Sequence, residues 1–232
     1  MHLCIKLSDM DFKDKELIIF DFDGTLINSN KDLALAINKM LLHYNLLPLT
    51  LEQVTPFIGN GAKILVKRSM ELSMQDKKVS EEMLEQASEI YLSAYQEAPC
   101  VETYVYPGVV ETLSYLNEKG YKMVICTNKL FRFIEPILEE LSIKQFFKYW
   151  IGEDSISEKK PNAAPLLYLA REMNTKIEKC IMVGDSKNDI LTARNAGMES
   201  IGVSYGYNYN ENIADYKPTI VVDSFSTLKD LF

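Results

Sequence analysis

Histidine is almost missing from this chain, with only His2 and His43 among 232 residues. Catalysis built on an imidazole base therefore has little to draw on. Cysteine is scarce as well. Cys4, Cys100, Cys126 and Cys180 are widely spaced and show no paired-ligand pattern, which argues against a zinc site. Cys126 and Cys180 fall inside apolar runs, where a reduced, buried thiol is expected. Positive charge is in deficit: 25 Lys and Arg against 33 Asp and Glu leave a net charge of −8. That is the wrong sign for nonspecific nucleic-acid binding. No apolar run approaches the length of a membrane span, and the N-terminal residues lack a signal-peptide core. A cytoplasmic protein that binds neither nucleic acid nor membrane is the expectation. No G-x-G-x-x-G follows a strand-like run and no G-x-x-x-x-G-K occurs, so nucleotide-cofactor binding has no support.

What is present is an ordinary globular composition, 47% hydrophobic and 25% charged. Short apolar runs recur at Leu17 to Phe22, Tyr121 to Cys126, Phe147 to Ile151, Lys179 to Val183, Ser200 to Val203 and Thr219 to Val222. Their near-continuous apolar character suits strands buried on both faces. Amphipathic stretches such as Val109 to Lys119, Phe131 to Leu141, Ala164 to Met173 and Asp189 to Ala196 separate them. The alternation predicts an α/β fold with a doubly wound, mostly parallel sheet. One interval breaks the rhythm. From Asp32 to about Glu102 only helical periodicity is found, with Leu33, Ala36, Ile37, Met40 and Leu41 on one face. The expected organisation is an α/β core of residues 12–30 and 104–232, with a helical domain of residues 31–103 inserted after the first strand. Residues 1–11 form an N-terminal extension in which His2 to Leu7 could add an edge strand.

Four of the predicted strand ends carry polar groups. The first run ends in Asp21-Phe22-Asp23-Gly24-Thr25-Leu26. Residues two apart on a strand point to the same side, so Asp21 and Asp23 can converge on one reacting group. Held together, two carboxylates call for a cation or a shared proton. By itself, though, Asp-x-Asp-Gly also fits a plain turn. The run ending at Cys126 is followed by Thr127-Asn128-Lys129, which reads equally as a helix cap. After the run near Tyr149 comes Lys159-Lys160-Pro161, which also fits a solvated surface pair. The run ending at Val183 leads into Gly184-Asp185-Ser186-Lys187-Asn188-Asp189. Its two outer aspartates, four apart, could face one cation across a helix start.

In order and position, these four segments resemble the motifs of the haloacid dehalogenase superfamily, and the match runs over nearly the whole chain. The resemblance implies a phosphotransferase with a mobile helical cap between the first two motifs. Asp21 would attack phosphorus and become an aspartyl phosphate. Asp23 would protonate the leaving alkoxide and then deprotonate the hydrolytic water. Mg²⁺ would be held by Asp21, the Asp23 backbone carbonyl and Asp185, with Asp189 as a further ligand or a support for that shell. Thr127, the Asn128 backbone and Lys160 would grip the phosphoryl oxygens. The partner implied is a small phosphorylated metabolite. Oligomeric state is left open.

Substrate choice is expected from the insert. Phe57-Ile58-Gly59-Asn60-Gly61-Ala62, followed by Lys63, Lys67 and Arg68, resembles the specificity loop of phosphoglycolate phosphatases. The segment Tyr205-Gly206-Tyr207-Asn208-Tyr209 is also similar to one common in that subgroup. Gly59, Asn60 and Gly61 are thus candidate substrate contacts, since backbone N–H groups at a Gly-rich helix start favour an anion. A turn before a solvated basic helix is the other reading. The chain departs from the subgroup at Lys159-Lys160-Pro161-Asn162-Ala163, which lacks a His-Pro pair after Pro161. On this resemblance, hydrolysis of 2-phosphoglycolate with Mg²⁺ is the leading expectation. Another phosphoester or pyrophosphate hydrolase, a β-phosphoglucomutase-like mutase and a phospho-acceptor signalling domain are the alternatives.

Overall fold

The computed structural model describes residues 11–75 and 77–232. The strand considered for His2 to Leu7 lies outside the described residues. Six strands form one sheet: β1 (Leu17–Phe20), β4 (Lys122–Cys126), β5 (Tyr149–Ile151), β6 (Cys180–Gly184), β7 (Glu199–Val203) and β8 (Ile220–Val222). Their order is β5-β4-β1-β6-β7-β8, and every neighbouring pair runs parallel. The expected parallel α/β sheet is therefore present, with each strand end within two residues of its apolar run. The first run ends as a strand at Phe20, although the Asp21 N–H still donates to Val183 O at 2.9 Å.

Alternation along β1 divides the core. Ile18 and Phe20 pack into a cluster with α5 (Val109–Glu118), α6 (Ile134–Glu140) and α9 (Leu228–Leu231). Leu17 and Ile19 point the other way, against α7 (Ala164–Glu172) and α8 (Lys187–Asn195). All four side chains are fully buried, which is why the run shows no polar alternation.

The segment between the first two large strands is helical: α1 (Asn30–His43), α2 (Leu51–Val54), α3 (Ala62–Ser73) and α4 (Glu81–Glu97). Their apolar faces join the first core cluster through residues such as Ile37, Val66 and Ala87. Connections near Asn28 to Lys31 and near Glu102 to Tyr106 are expected from the pattern, but not the pairing between them. A short antiparallel ribbon, β2 (Ile27–Asn28) with β3 (Tyr104–Val105), ties its entry to its exit. Asp32, in the first turn of α1, completes the tie. Its buried carboxylate accepts from the N–H groups of Val101, Glu102 and Thr103 at 2.8 to 3.0 Å and from the Thr103 hydroxyl at 2.6 Å.

Strand order fixes where a ligand can bind. From β1 the chain builds outward through β4 to β5, then returns to β6 on the other side of β1. In open α/β sheets, such a reversal opens a crevice at the carboxyl ends of the strands. Asp21 and Asp185 stand on either side of it.

Candidate active site

The turn after β1 is made by Gly24, whose φ of +90° suits glycine alone among common residues. A Cβ at Gly24 would also overlap the Asp185 carboxylate. The backbone thus passes close beneath Asp185 and turns so that Asp21 and Asp23 serve different neighbours.

Asp21, Asp185 and Asp189 converge, each offering an oxygen within 4.8 Å of the others, and all three are buried. Lys160, only 3% exposed, sits among them. Its Nζ lies 2.6 Å from Asp189 Oδ1 and 2.8 Å from Asp21 Oδ1. The contact to Asp21 is an ion pair off the hydrogen-bond direction, leaving Asp21 Oδ1 with no hydrogen-bond partner. Burial, then the charge of Asp189, raises the Asp21 carboxyl well above its ordinary range, and Lys160 only partly offsets this. Burial followed by Asp189 likewise pushes Asp185 up to about 7. Burial alone would lower Lys160, but Asp189 and Asp21 outweigh it and raise its pKa. Three carboxylates against one ammonium leave a local excess of negative charge that a cation would relieve. An all-oxygen donor set that includes a buried carboxylate oxygen accepting no hydrogen bond fits a hard divalent ion such as Mg²⁺.

The two motif aspartates after β6 differ in their duties. Asp185 accepts from the Thr25 hydroxyl at 3.0 Å and from the Tyr207 N–H at 2.7 Å. Asp189 is already engaged on both oxygens. Its Oδ2 accepts from the Ser186 N–H at 3.0 Å and hydroxyl at 2.7 Å, closing the start of α8, while Oδ1 holds Lys160. The helix begins at Lys187, earlier than the apolar pattern alone suggested, because Ser186 and Asp189 cap it.

Asp23 turns away from this cluster. Its Oδ1 accepts from the Ser29 hydroxyl at 2.5 Å, and Lys129 Nζ approaches both of its oxygens at 3.1 and 3.3 Å. Lys129 was read from the sequence only as part of a capping trio. It is instead buried, with Nζ also 4.9 Å above the Tyr95 ring. The sequence marked its place, third in a polar run at the carboxyl end of a central strand, but not its partners. Thr127 and Asn128 do reach the site from the end of β4. Thr127 Oγ1 accepts from the Lys129 N–H at 3.1 Å. Asn128 Nδ2 donates to Gly59 O at 3.0 Å and Lys160 O at 3.2 Å, so it links the helical segment to the lysine loop.

Gly59 and Gly61 border a cavity whose other walls include Asp21, Asp23, Thr127 and Asn128. Asn60 sits beside it, its side-chain oxygen accepting from Asn188 Nδ2 at 3.1 Å. The start of α3 already faces an acid, for the Ala62 N–H donates to Glu153 Oε1 at 3.4 Å. Lys159 pairs with that glutamate at 2.8 Å and stays 44% exposed, unlike its neighbour Lys160. Lys63, Lys67 and Arg68 face solvent. The Tyr205 to Tyr209 segment wraps the opposite rim. Tyr205 donates to Thr25 O at 2.8 Å, the Tyr207 hydroxyl accepts from the Ser29 N–H at 2.9 Å, and the Tyr209 hydroxyl lies 2.9 Å from Asn188 Nδ2.

Known proteins resemble this chain over nearly its whole length. A phosphoglycolate phosphatase from Colwellia psychrerythraea is 42% identical over 220 residues, covering 94% of this chain and 97% of that one. One from Psychrobacter arcticus is 38% identical over 94% of this chain and 95% of its own length. Among solved structures, a predicted phosphoglycolate phosphatase from Haemophilus somnus superposes with a TM-score of 0.87 at 38% identity, covering 92% of this chain and 96% of the other. Residues 18–203, from the first sheet strand through the fifth, match the haloacid dehalogenase-like hydrolase family, and the chain belongs to that family.

Proposed function

We propose that this hydrolase is a phosphomonoesterase that works through an aspartyl phosphate on Asp21 and converts 2-phosphoglycolate to glycolate and phosphate. The observation that carries the chemistry is the buried convergence of Asp21, Asp185 and Asp189 around a single lysine, with Asp21 Oδ1 lacking a hydrogen bond. In the first step an Asp21 oxygen attacks phosphorus, the bond from phosphorus to the ester oxygen breaks, and that oxygen takes the proton of Asp23. In the second, Asp23 removes a proton from water. The water oxygen attacks phosphorus, and phosphate leaves as the Asp21 carboxylate is restored. Thr127, the Asn128 backbone N–H and Lys160 hold the phosphoryl oxygens; the Asn128 side chain is committed to Gly59 and Lys160.

Mg²⁺ is assigned to Asp21, Asp185 and the Asp23 backbone carbonyl. When bound it supplies positive charge against the phosphoryl oxygens and the clustered carboxylates. Asp189, with both oxygens engaged, acts chiefly by orienting Lys160 and the start of α8. Residues 31–103 serve as a cap over the site, moving about Asn28–Lys31 and Glu102–Tyr106.

The choice of substrate rests on the resemblance to phosphoglycolate phosphatases and on a cavity that runs from Asp21 and Asp23 towards the helical segment. Phosphate release with Mg²⁺ from 2-phosphoglycolate, glucose 1-phosphate, pyrophosphate and a nucleoside monophosphate tests it, with Asp21→Asn as blank. A kcat/KM for 2-phosphoglycolate about tenfold or more above the rest is expected. A flat profile would reject this substrate while keeping the phosphatase chemistry.

A further inference from the structure

Beyond the reacting centre, the cavity runs between the end of β4 and helix α4. Its far walls are mostly apolar, with Leu33, Ile58, Leu65, Leu92 and Phe133 among them. Lys129, Tyr91 and Tyr95 bring polar groups to that surface. Lys129 is the one cationic side chain among the residues that line it. Tyr95 is 2% exposed, and its hydroxyl is buried without a hydrogen-bond partner. Such a hydroxyl is costly to leave unpaired and normally finds a partner. Lys129 has three donors to place. Asp23 takes it from one side at 3.1 and 3.3 Å, and its Nζ stands 4.9 Å from the centre of the Tyr95 ring, so both residues line the same stretch of the cavity.

Resting on the phosphomonoesterase reading above, we propose that Lys129 and Tyr95 form the subsite that receives the carboxylate of the leaving group. A carboxylate there accepts from the Lys129 ammonium and the Tyr95 hydroxyl, between apolar walls that exclude water. Charge-assisted hydrogen bonds are strong in such surroundings. The alternative anchor, the glycine loop before α3, is less suited to an anion. Its Gly59 carbonyl oxygen is turned to Asn128 and Asn188, and its first helical N–H already faces the Glu153 carboxylate. Lys129 and Tyr95 come from two separate parts of the chain, the sheet end and α4. The subsite is therefore complete only when the helical segment lies against the sheet.

The subsite makes an ester with a neutral leaving group a poorer substrate, because Lys129 and Tyr95 then go unanswered. The test compares 2-phosphoglycolate with 2-hydroxyethyl phosphate, in which a neutral alcohol replaces the carboxylate, and reads the ratio of the two kcat/KM values. In Lys129→Met the ratio is expected to fall at least about tenfold, and in Tyr95→Phe about threefold or more. Tyr95→Phe removes one oxygen and no charge, so it keeps the test open if loss of the Lys129 pairing to Asp23 unfolds the first variant. Binding of 2-phosphoglycolate in the Asp21→Asn background, followed by calorimetry, should weaken in step with the ratio. A ratio unchanged in both variants overturns the subsite, as does a wild-type protein that turns over both esters equally well. Absence of turnover of either ester by the wild type would instead reject the phosphatase reading itself.

Discussion

At the residue scale, neighbouring side chains of the same type have been given different work by their surroundings. Lys159 and Lys160 are adjacent in sequence. One pairs with Glu153 at the surface, and the other is buried between Asp21 and Asp189. Lys160→Ala is expected to lose about a hundredfold or more in kcat/KM, whereas Lys159→Ala should stay within about twofold. Equal losses would remove Lys160 from the phosphoryl site. Asp21 and Asp23 diverge in the same way, towards the acidic cluster and towards Lys129. Asp23→Asn should therefore cost an alkyl ester about a hundredfold, and an activated aryl ester at least tenfold less, because an aryloxide leaves without help from a proton. Matching losses on both esters would argue against Asp23 as the acid.

The raised pKa values give a further prediction. Asp21 and Asp185 bind protons more tightly in the folded state than the ordinary carboxyl value of 3.8 allows. Their protonation thus stabilises the metal-free fold fully below about pH 4. For Asp185 that contribution is lost as the pH rises through about 7. A divalent cation replaces the proton. Adding MgCl₂ should raise Tm more at about pH 8 than at about pH 5. An equal rise at both values, or none, would contradict a metal at this cluster.

Among the elements, the sheet strands and their helices were legible because apolar runs with two buried faces have few other interpretations. The groups at the ends of β1, β4 and β6 were legible too, since polar residues directly after an apolar run stand out. The β2–β3 ribbon was not. Two residues per strand are too few for any periodicity, and the pairing joins positions more than 70 residues apart. Nor was the role of Asp32, whose four donors come from across the insert rather than from its own helix. Lys129 escaped for a similar reason. Only the fold brings Asp23 and Tyr95 to it. Because Asp32 binds the exit of the insert to its entry, Asp32→Ala should destabilise the protein by about 3 kcal/mol, leaving several buried N–H groups without acceptors. Denaturant unfolding measures this. A loss below about 1 kcal/mol would mean that water readily takes over those donors.

For the whole molecule, topology and charge decide where chemistry can happen. Strand order reverses at β1 and β6, and the buried acids stand at that reversal. A net charge of −8 opposes an anionic substrate at long range. Lys160 and Lys129 place positive charge locally where the two ends of a phosphorylated acid would lie. The central claim is that Asp21 carries the phosphoryl group. The most direct measurement uses Asp23→Asn, in which the proposed loss of the base should slow hydrolysis of the acyl phosphate. The variant is mixed with an activated aryl phosphate and Mg²⁺, quenched, and reduced with borohydride, which converts an aspartyl phosphate to homoserine. Peptide mass spectrometry should then find homoserine at position 21 and at no other aspartate. Aryl alcohol released in at least one equivalent while Asp21 stays unmodified at every quench time would contradict the account.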